Sequence, residues 1–166
     1  MTHDTGQSSL FSMRFAETQH VYATPWVLWR VLTGFDAYGR WNSLIPQARG
    51  RLDEGAVIQM KIRAVDKHPW PYQGRAQTVQ PYQGLALRLS LFLPPLGLPV
   101  PYIVDMSLAA YIDPLDQVSS KFTLGLKASG LLVALLSQPM ERRLGQGLTR
   151  MGGMIKALAE GHSPNA

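Results

Sequence analysis

Between Ala56 and Leu126 apolar residues recur mostly at every second position; between Met140 and Leu158 they recur at every third or fourth. Period two specifies strands with one buried face. A period near 3.6 specifies an amphipathic helix. The chain is therefore read as a series of strands closed by one long helix, an α+β layer arrangement. A helix of about 20 residues spans only about 30 Å. It covers a broad sheet only if the sheet curves around it, and the space between the two layers is a natural place for a ligand.

The segments follow from local signals. Phe11, Met13 and Phe15 alternate with polar or small neighbours and predict a strand over 11–22. Thr24-Pro25 opens a short helix over 26–33, with Thr24 as N-cap, Pro25 at the first helical position and Gly34 as the terminating glycine. Asp36 is placed as the cap of a second short helix reaching about Trp41. Further strands are expected over 47–51, 56–64, 72–80, 85–91, 102–112 and 118–126. Turns are expected at 53–55, 81–84 and 113–116. The loop at 66–71 holds Trp70, and residues 93–101 form an apolar loop containing four prolines.

Composition narrows the function classes. The 166 residues suit one domain, placed at 10–160, with flexible ends at 1–9 and 161–166. Apolar residues make up 46%, but charged residues only 16%, against roughly 25% in an average soluble domain. Low charge with ordinary apolar content points to apolar surface shielded from water, in a cavity or a partner interface. There is no cysteine, which excludes disulfides, thiolate nucleophiles and zinc-thiolate sites. The net charge of +5 comes from eleven Arg and five Lys against eleven acidic residues. These bases are scattered, with no run longer than Arg142-Arg143, so no nucleic-acid partner is expected. The N-terminal residues lack the pattern of a signal peptide. The apolar stretch 89–104 is broken by proline and cannot be a spanning helix. The expected compartment is cytoplasmic.

The stretch Ala23-Thr-Pro-Trp-Val-Leu-Trp-Arg-Val-Leu-Thr-Gly-Phe-Asp-Ala-Tyr-Gly-Arg-Trp-Asn42 resembles the opening of the START-like, or SRPBCC, superfamily. It is followed by the hairpin Gly50-Arg-Leu-Asp-Glu-Gly55, and Met151-Gly-Gly-Met-Ile-Lys-Ala-Leu-Ala-Glu160 is similar to the superfamily's closing helix. The resemblance runs from Phe11 to Glu160 and is nearest to the polyketide cyclase/dehydrase-like subgroup. It implies the helix-grip fold: a seven-stranded curved antiparallel sheet wrapped around a long C-terminal helix, two short helices after strand 1, and a deep apolar cavity. It also implies ligands among lipids, sterols, polyketides, quinones or plant hormones, with cyclases and aromatases among the members. Gly34 and Ser43 stand where the superfamily usually has Asp and Pro. No catalytic residue carries over.

Candidate ligand-binding residues are Trp41 and Asn42 in the motif, Trp70 in its loop, and strand residues Met60, Leu89, Leu91, Tyr102, Val104 and Met106. Leu148, Met151 and Ile155 join them from the last helix. Each also has a plain structural reading: Trp41 as packing, Asn42 as a turn cap, the aliphatic residues as core. Tyr102 and Tyr111 are possible hydrogen-bond donors to a ligand carbonyl. Arg88 and Asp105 fall on strands expected to pair, where they form either a surface ion pair or an inward acid–base couple. Gly145, Gly147, Gly152 and Gly153 in the last helix signal a bend or a close approach to something bulky. The histidines are far apart in sequence and no metal or nucleotide motif occurs, so no cofactor and no metal are expected. Three readings remain: a binding protein for a small hydrophobic ligand, a cyclase or dehydratase-like enzyme using the same cavity, and a lipid or quinone carrier making transient membrane contact. A homodimer is compatible with the low charge content.

Overall fold

A computed structural model describes residues 12–93, 98–99 and 103–161. Phe11, Tyr102, most of the 93–101 loop and nearly all of the two expected flexible ends lie outside the described residues. The elements run β1 (Ser12–Val21), α1 (Pro25–Thr33), a 3-10 turn (Phe35–Ala37), α2 (Tyr38–Trp41), β2 (Gln47–Gly50), β3 (Val57–Ile62), β4 (Trp70–Gln80), β5 (Gly84–Leu93), β6 (Leu98–Pro99), β7 (Asp105–Pro114), β8 (Ser120–Ser129), α3 (Leu131–Leu135) and α4 (Ser137–Ala159).

Seven strands form one antiparallel sheet in the order β1-β8-β7-β5-β4-β3-β2, and the two-residue β6 pairs with the end of β5. Period-two alternation sets the inner face. Ile58, Gly74, Leu89, Met106, Ala128 and Met13 lie opposite one another across six consecutive strands. In the next row toward the β2 edge, Ala48, Met60, Tyr72 and Leu91 are likewise opposed. Gly74 and Ala128 stand among larger residues in the first row, and Ala48 stands at the β2 end of the second. The register of β4 against β5 shifts between Ala76 and Thr78, where the extra residue bends the strand.

Helix α4 lays one stripe along this concave face. Met140, Leu144, Leu148, Met151 and Ile155 recur at helical spacing and are all buried to within 1%. Glu160 accepts the N–H of Tyr22 at 2.9 Å and so fastens the end of α4 to the β1–α1 junction. The glycines of α4 serve close approach. A Cβ on Gly147 would stand 2.7 Å from Leu44 Cδ1, and one on Gly152 would press on Gln19 and Glu17. Gly153 meets nothing within 4 Å.

Several local expectations are corrected. Thr24 precedes α1, but its side chain makes no capping bond; its carbonyl accepts from Val27 and Leu28 instead. Gly34 keeps an ordinary φ of −75°, because the chain passes directly into the 3-10 turn. Its glycine is explained by Arg30 O, which an added Cβ would meet at 2.9 Å. Asp36 lies inside that turn and does not cap α2. The apolar run Leu131–Leu135, too short to show a period, forms α3 ahead of the long helix.

Two glycine substitutions test this packing in opposite directions. Gly84→Ala would place Cβ 2.5 Å from Ala110 O on the neighbouring strand and should lower stability by about 1–3 kcal/mol. Gly153→Ala fills open space in a helix interior and should raise it by up to about 1 kcal/mol. Chemical denaturation of both variants measures the two shifts.

Candidate functional site

The inner face between sheet and α4 brings together eight of the expected ligand-lining residues. Met60, Leu89, Leu91, Val104, Met106, Leu148, Met151 and Ile155 belong to one continuous buried cluster, none more than 2% exposed. Leu89, Val104 and Ile155 have no exposed surface at all, so their surroundings are filled by protein atoms rather than by a water-sized void. Trp70 opens β4 opposite Ile62 and is half-buried against the same cluster. Tyr102 lies outside the described residues. Clefts open elsewhere, including one of about 330 Å³ on the outer face of β2, β3 and β4, and one of about 300 Å³ beside the end of α1.

Trp41 and Asn42 have structural tasks. Trp41 is half-buried, with its ring edge-on to Tyr38 at 4.9 Å. The Asn42 side-chain oxygen accepts the N–H groups of Leu44 at 3.1 Å and Ile45 at 2.9 Å, which turns the chain from α2 into β2. Its amide nitrogen is buried and has no partner. The inward reading of Arg88 and Asp105 is corrected: their guanidinium and carboxylate meet at 2.8 Å on the outer face, Arg88 being exposed. The strand parity that buries Leu87 and Leu89 turns Arg88 outward. Tyr111 also points outward and is 55% exposed, so it cannot donate into the interior.

Tyr72 is the feature the sequence reading passed over. It sits in β4 between Met60 and Leu91 in the inner row, 1% exposed, and its hydroxyl has no hydrogen-bond partner. Burial pushes its pKa up, so the phenol keeps its proton and remains a donor. An unsatisfied buried donor costs roughly 1–3 kcal/mol. Tyr38 is buried too, but its hydroxyl donates to Leu32 O. The signal for Tyr72 was its parity with Gly74 and Ala76, which places it on the apolar face. A second inward polar group was also missed. Glu17, on edge strand β1, faces α4 and is approached by Thr149 Oγ1 at 3.4 Å and Gln19 Nε2 at 3.3 Å.

No protein-family model and no curated protein matches the sequence. Solved structures do match the fold. The Zhui aromatase/cyclase from Streptomyces sp. R1128 superposes with a TM-score of 0.63 at 18% identity, covering 92% of this chain and 99% of that one. A START superfamily protein from Mycobacterium smegmatis gives 0.65 at 15% identity, covering 89% and 97%. Truncated norcoclaurine synthase from Thalictrum flavum gives 0.61 at 12% identity, covering 95% and 99%.

Two substitutions separate the polar groups of the interior. Tyr72→Phe removes an unsatisfied hydroxyl and should raise stability by about 1 kcal/mol. Asn42→Ala removes an acceptor that holds two backbone N–H groups and should lower it by about 1–2 kcal/mol. Alkaline titration adds a further check. Tyr38 and Tyr72 both have raised pKa values in the folded chain, from burial. The stability they contribute is present below the unfolded-state value of about 10 and is lost as pH rises above it. Ultraviolet absorbance should show these two phenols ionising only together with unfolding.

Proposed function

From a chain with the START-like, or SRPBCC-type, helix-grip fold, we propose a binding protein for a small, largely apolar molecule that carries a carbonyl or similar oxygen acceptor. The carrying observation is the Tyr72 hydroxyl, a donor held in its protonated form among apolar inner-row neighbours and left without an acceptor. A quinone or a polyketide-like ketone supplies both the flat apolar body and the oxygen.

Binding takes place between sheet and α4 and requires the interior to make room. Met60, Met106, Met140 and Met151 are all buried in the cluster. Thioether side chains are unbranched and repack at small expense, so they can yield to a ligand where branched residues would not. The ligand's apolar surface replaces contacts these side chains give up, and its oxygen satisfies Tyr72. One formed hydrogen bond is worth about 1 kcal/mol net, more when it relieves a buried unsatisfied group. Tyr72 therefore selects for an oxygen at one position, while the aliphatic walls set size.

Binding is favoured over catalysis by what accompanies Tyr72. General acid–base chemistry needs a second positioned group that accepts or donates a proton. Among the described residues, Arg88 and Asp105 lie on the outer face and Tyr111 is exposed. Tyr38 is tied to Leu32 O, and the inward carboxylate of Glu17 lies on the β1 edge, where it accepts from Gln19 and Thr149. The likenesses to an aromatase/cyclase and a norcoclaurine synthase, at 18% and 12% identity, show the fold and carry no reaction to this chain.

Titration calorimetry with a naphthoquinone, and with naphthalene as the hydrocarbon of similar shape, tests the reading. The quinone should bind more tightly. Tyr72→Phe should weaken the quinone by about five- to tenfold, the equivalent of one hydrogen bond, and leave naphthalene unchanged. Equal loss for both ligands, or no heat with either, contradicts it.

A further inference from the structure

We propose a second binding site on the opposite, outer face of the sheet, for a small organic anion: a phosphate or carboxylate attached to a flat apolar group. It does not depend on the interior reading. The site is the cleft of about 330 Å³ across β2, β3 and β4, with the outward-facing Arg49, Lys61, Gln47, Gln59, Gln73 and Phe92 around it; Met60 and Tyr72, which alternate with these residues along β3 and β4, also line it.

The wet face of an antiparallel sheet is ordinarily polar, and scattered cations there need no explanation. What sets this cleft apart is the state of its two cations. The other arginines of this region are occupied. Arg51 pairs with Asp53, and Arg88 with Asp105. Arg63 donates to Ser43 O at 2.7 Å and Lys67 O at 3.0 Å, and Arg75 donates to Gly55 O at 3.0 Å. Among the described residues, neither Arg49 nor Lys61 meets a carboxylate. With its amide oxygen turned toward Arg49, Gln47 accepts from Nε at 3.2 Å and Nη2 at 3.1 Å. That neutral contact orients the guanidinium without cancelling its charge.

Register places the two charges together. Gln47 lies opposite Lys61 and Arg49 opposite Gln59, so Arg49 and Lys61 are diagonal neighbours on one face. Such neighbours stand roughly 7–8 Å apart at the backbone, within reach of long side chains, and like charges so placed repel. An anion between them removes that repulsion and accepts hydrogen bonds from both. Arginine contributes a planar fork suited to carboxylate or phosphate, and lysine a mobile point charge. Gln59 and Gln73 face each other across β3 and β4 and offer further donors. Phe92 and Pro71 give the cleft an apolar side, against which a flat group can lie. Inorganic phosphate would meet the charges but leave that side unused, so the preferred ligand joins both features. A volume of about 330 Å³ is at the small end of ligand sites.

The test is a titration of the labelled protein with phenyl phosphate, inorganic phosphate and phenol, followed by NMR on the side-chain amides. Phenyl phosphate should give saturable shifts at Gln47, Gln59 and Gln73 and bind at least fivefold more tightly than either control. Arg49→Gln and Lys61→Gln should each weaken it by about tenfold. Lys127→Gln, an exposed cation on β8, should leave it unchanged. These positions are exposed, and circular dichroism verifies that each variant is folded. Equal weakening by Lys127→Gln, shifts spread over cations elsewhere on the surface, or no saturation would overturn the site.

Discussion

Everything in this structure depends on how seven strands bury one face of a single helix. The five α4 residues from Met140 to Ile155 are buried where the helix packs on the concave side of the sheet and on α1 and α3. The sheet in turn is covered by α4 together with the short helices α1, α2 and α3 and the 3-10 turn. Burial of about 25 cal/mol per Å² of apolar surface drives both together. Curvature is what allows one helix to serve so many strands, and the register shift of β4 against β5 is a local device that bends the sheet.

That same arrangement makes the interior sensitive to polarity. A polar group on the inner face has no water to bond to, and most inner positions hold none. Asn42 uses its oxygen on two backbone N–H groups and thereby fixes the corner from α2 to β2. Tyr72 has no such return inside the fold. A phenylalanine at that site would keep the packing and remove the penalty. The hydroxyl therefore makes sense as a group kept for something that enters. The two faces of the sheet then have different capacities: a largely apolar interior in which the Tyr72 hydroxyl and the Asn42 amide nitrogen are donors without partners, and an outer cleft with two cations that meet no carboxylate among the described residues.

Much of this was legible in the sequence where a pattern ran long enough to be unambiguous. Alternation from Leu85 to Leu91 fixed both the strand and its buried face, and the repeat from Met140 to Leu158 fixed the helix. The motif ending in Trp41-Asn42 pointed to the helix-grip fold. Short elements escaped: α3 has only five residues, all hydrophobic or alanine, and shows no period. Capping at Thr24 and Asp36 failed because side-chain caps compete with turn geometry that only the neighbouring chain determines. Apolar alternation in β1 stops after Phe15 for a physical reason: Glu17 and Gln19 occupy inward positions on an edge strand beside α4. Tyr72 was invisible as a site because a lone tyrosine in a strand is ordinarily core. What distinguishes it is a missing partner, and a missing partner appears only in three dimensions.

The central claim is that the interior accepts a carbonyl-bearing apolar molecule. Native mass spectrometry of the purified protein, before and after incubation with excess naphthoquinone, tests it most directly. The account predicts one bound molecule per chain, either carried through purification or taken up from solution, and released on organic extraction. A chain that stays at its bare mass under both conditions would contradict it.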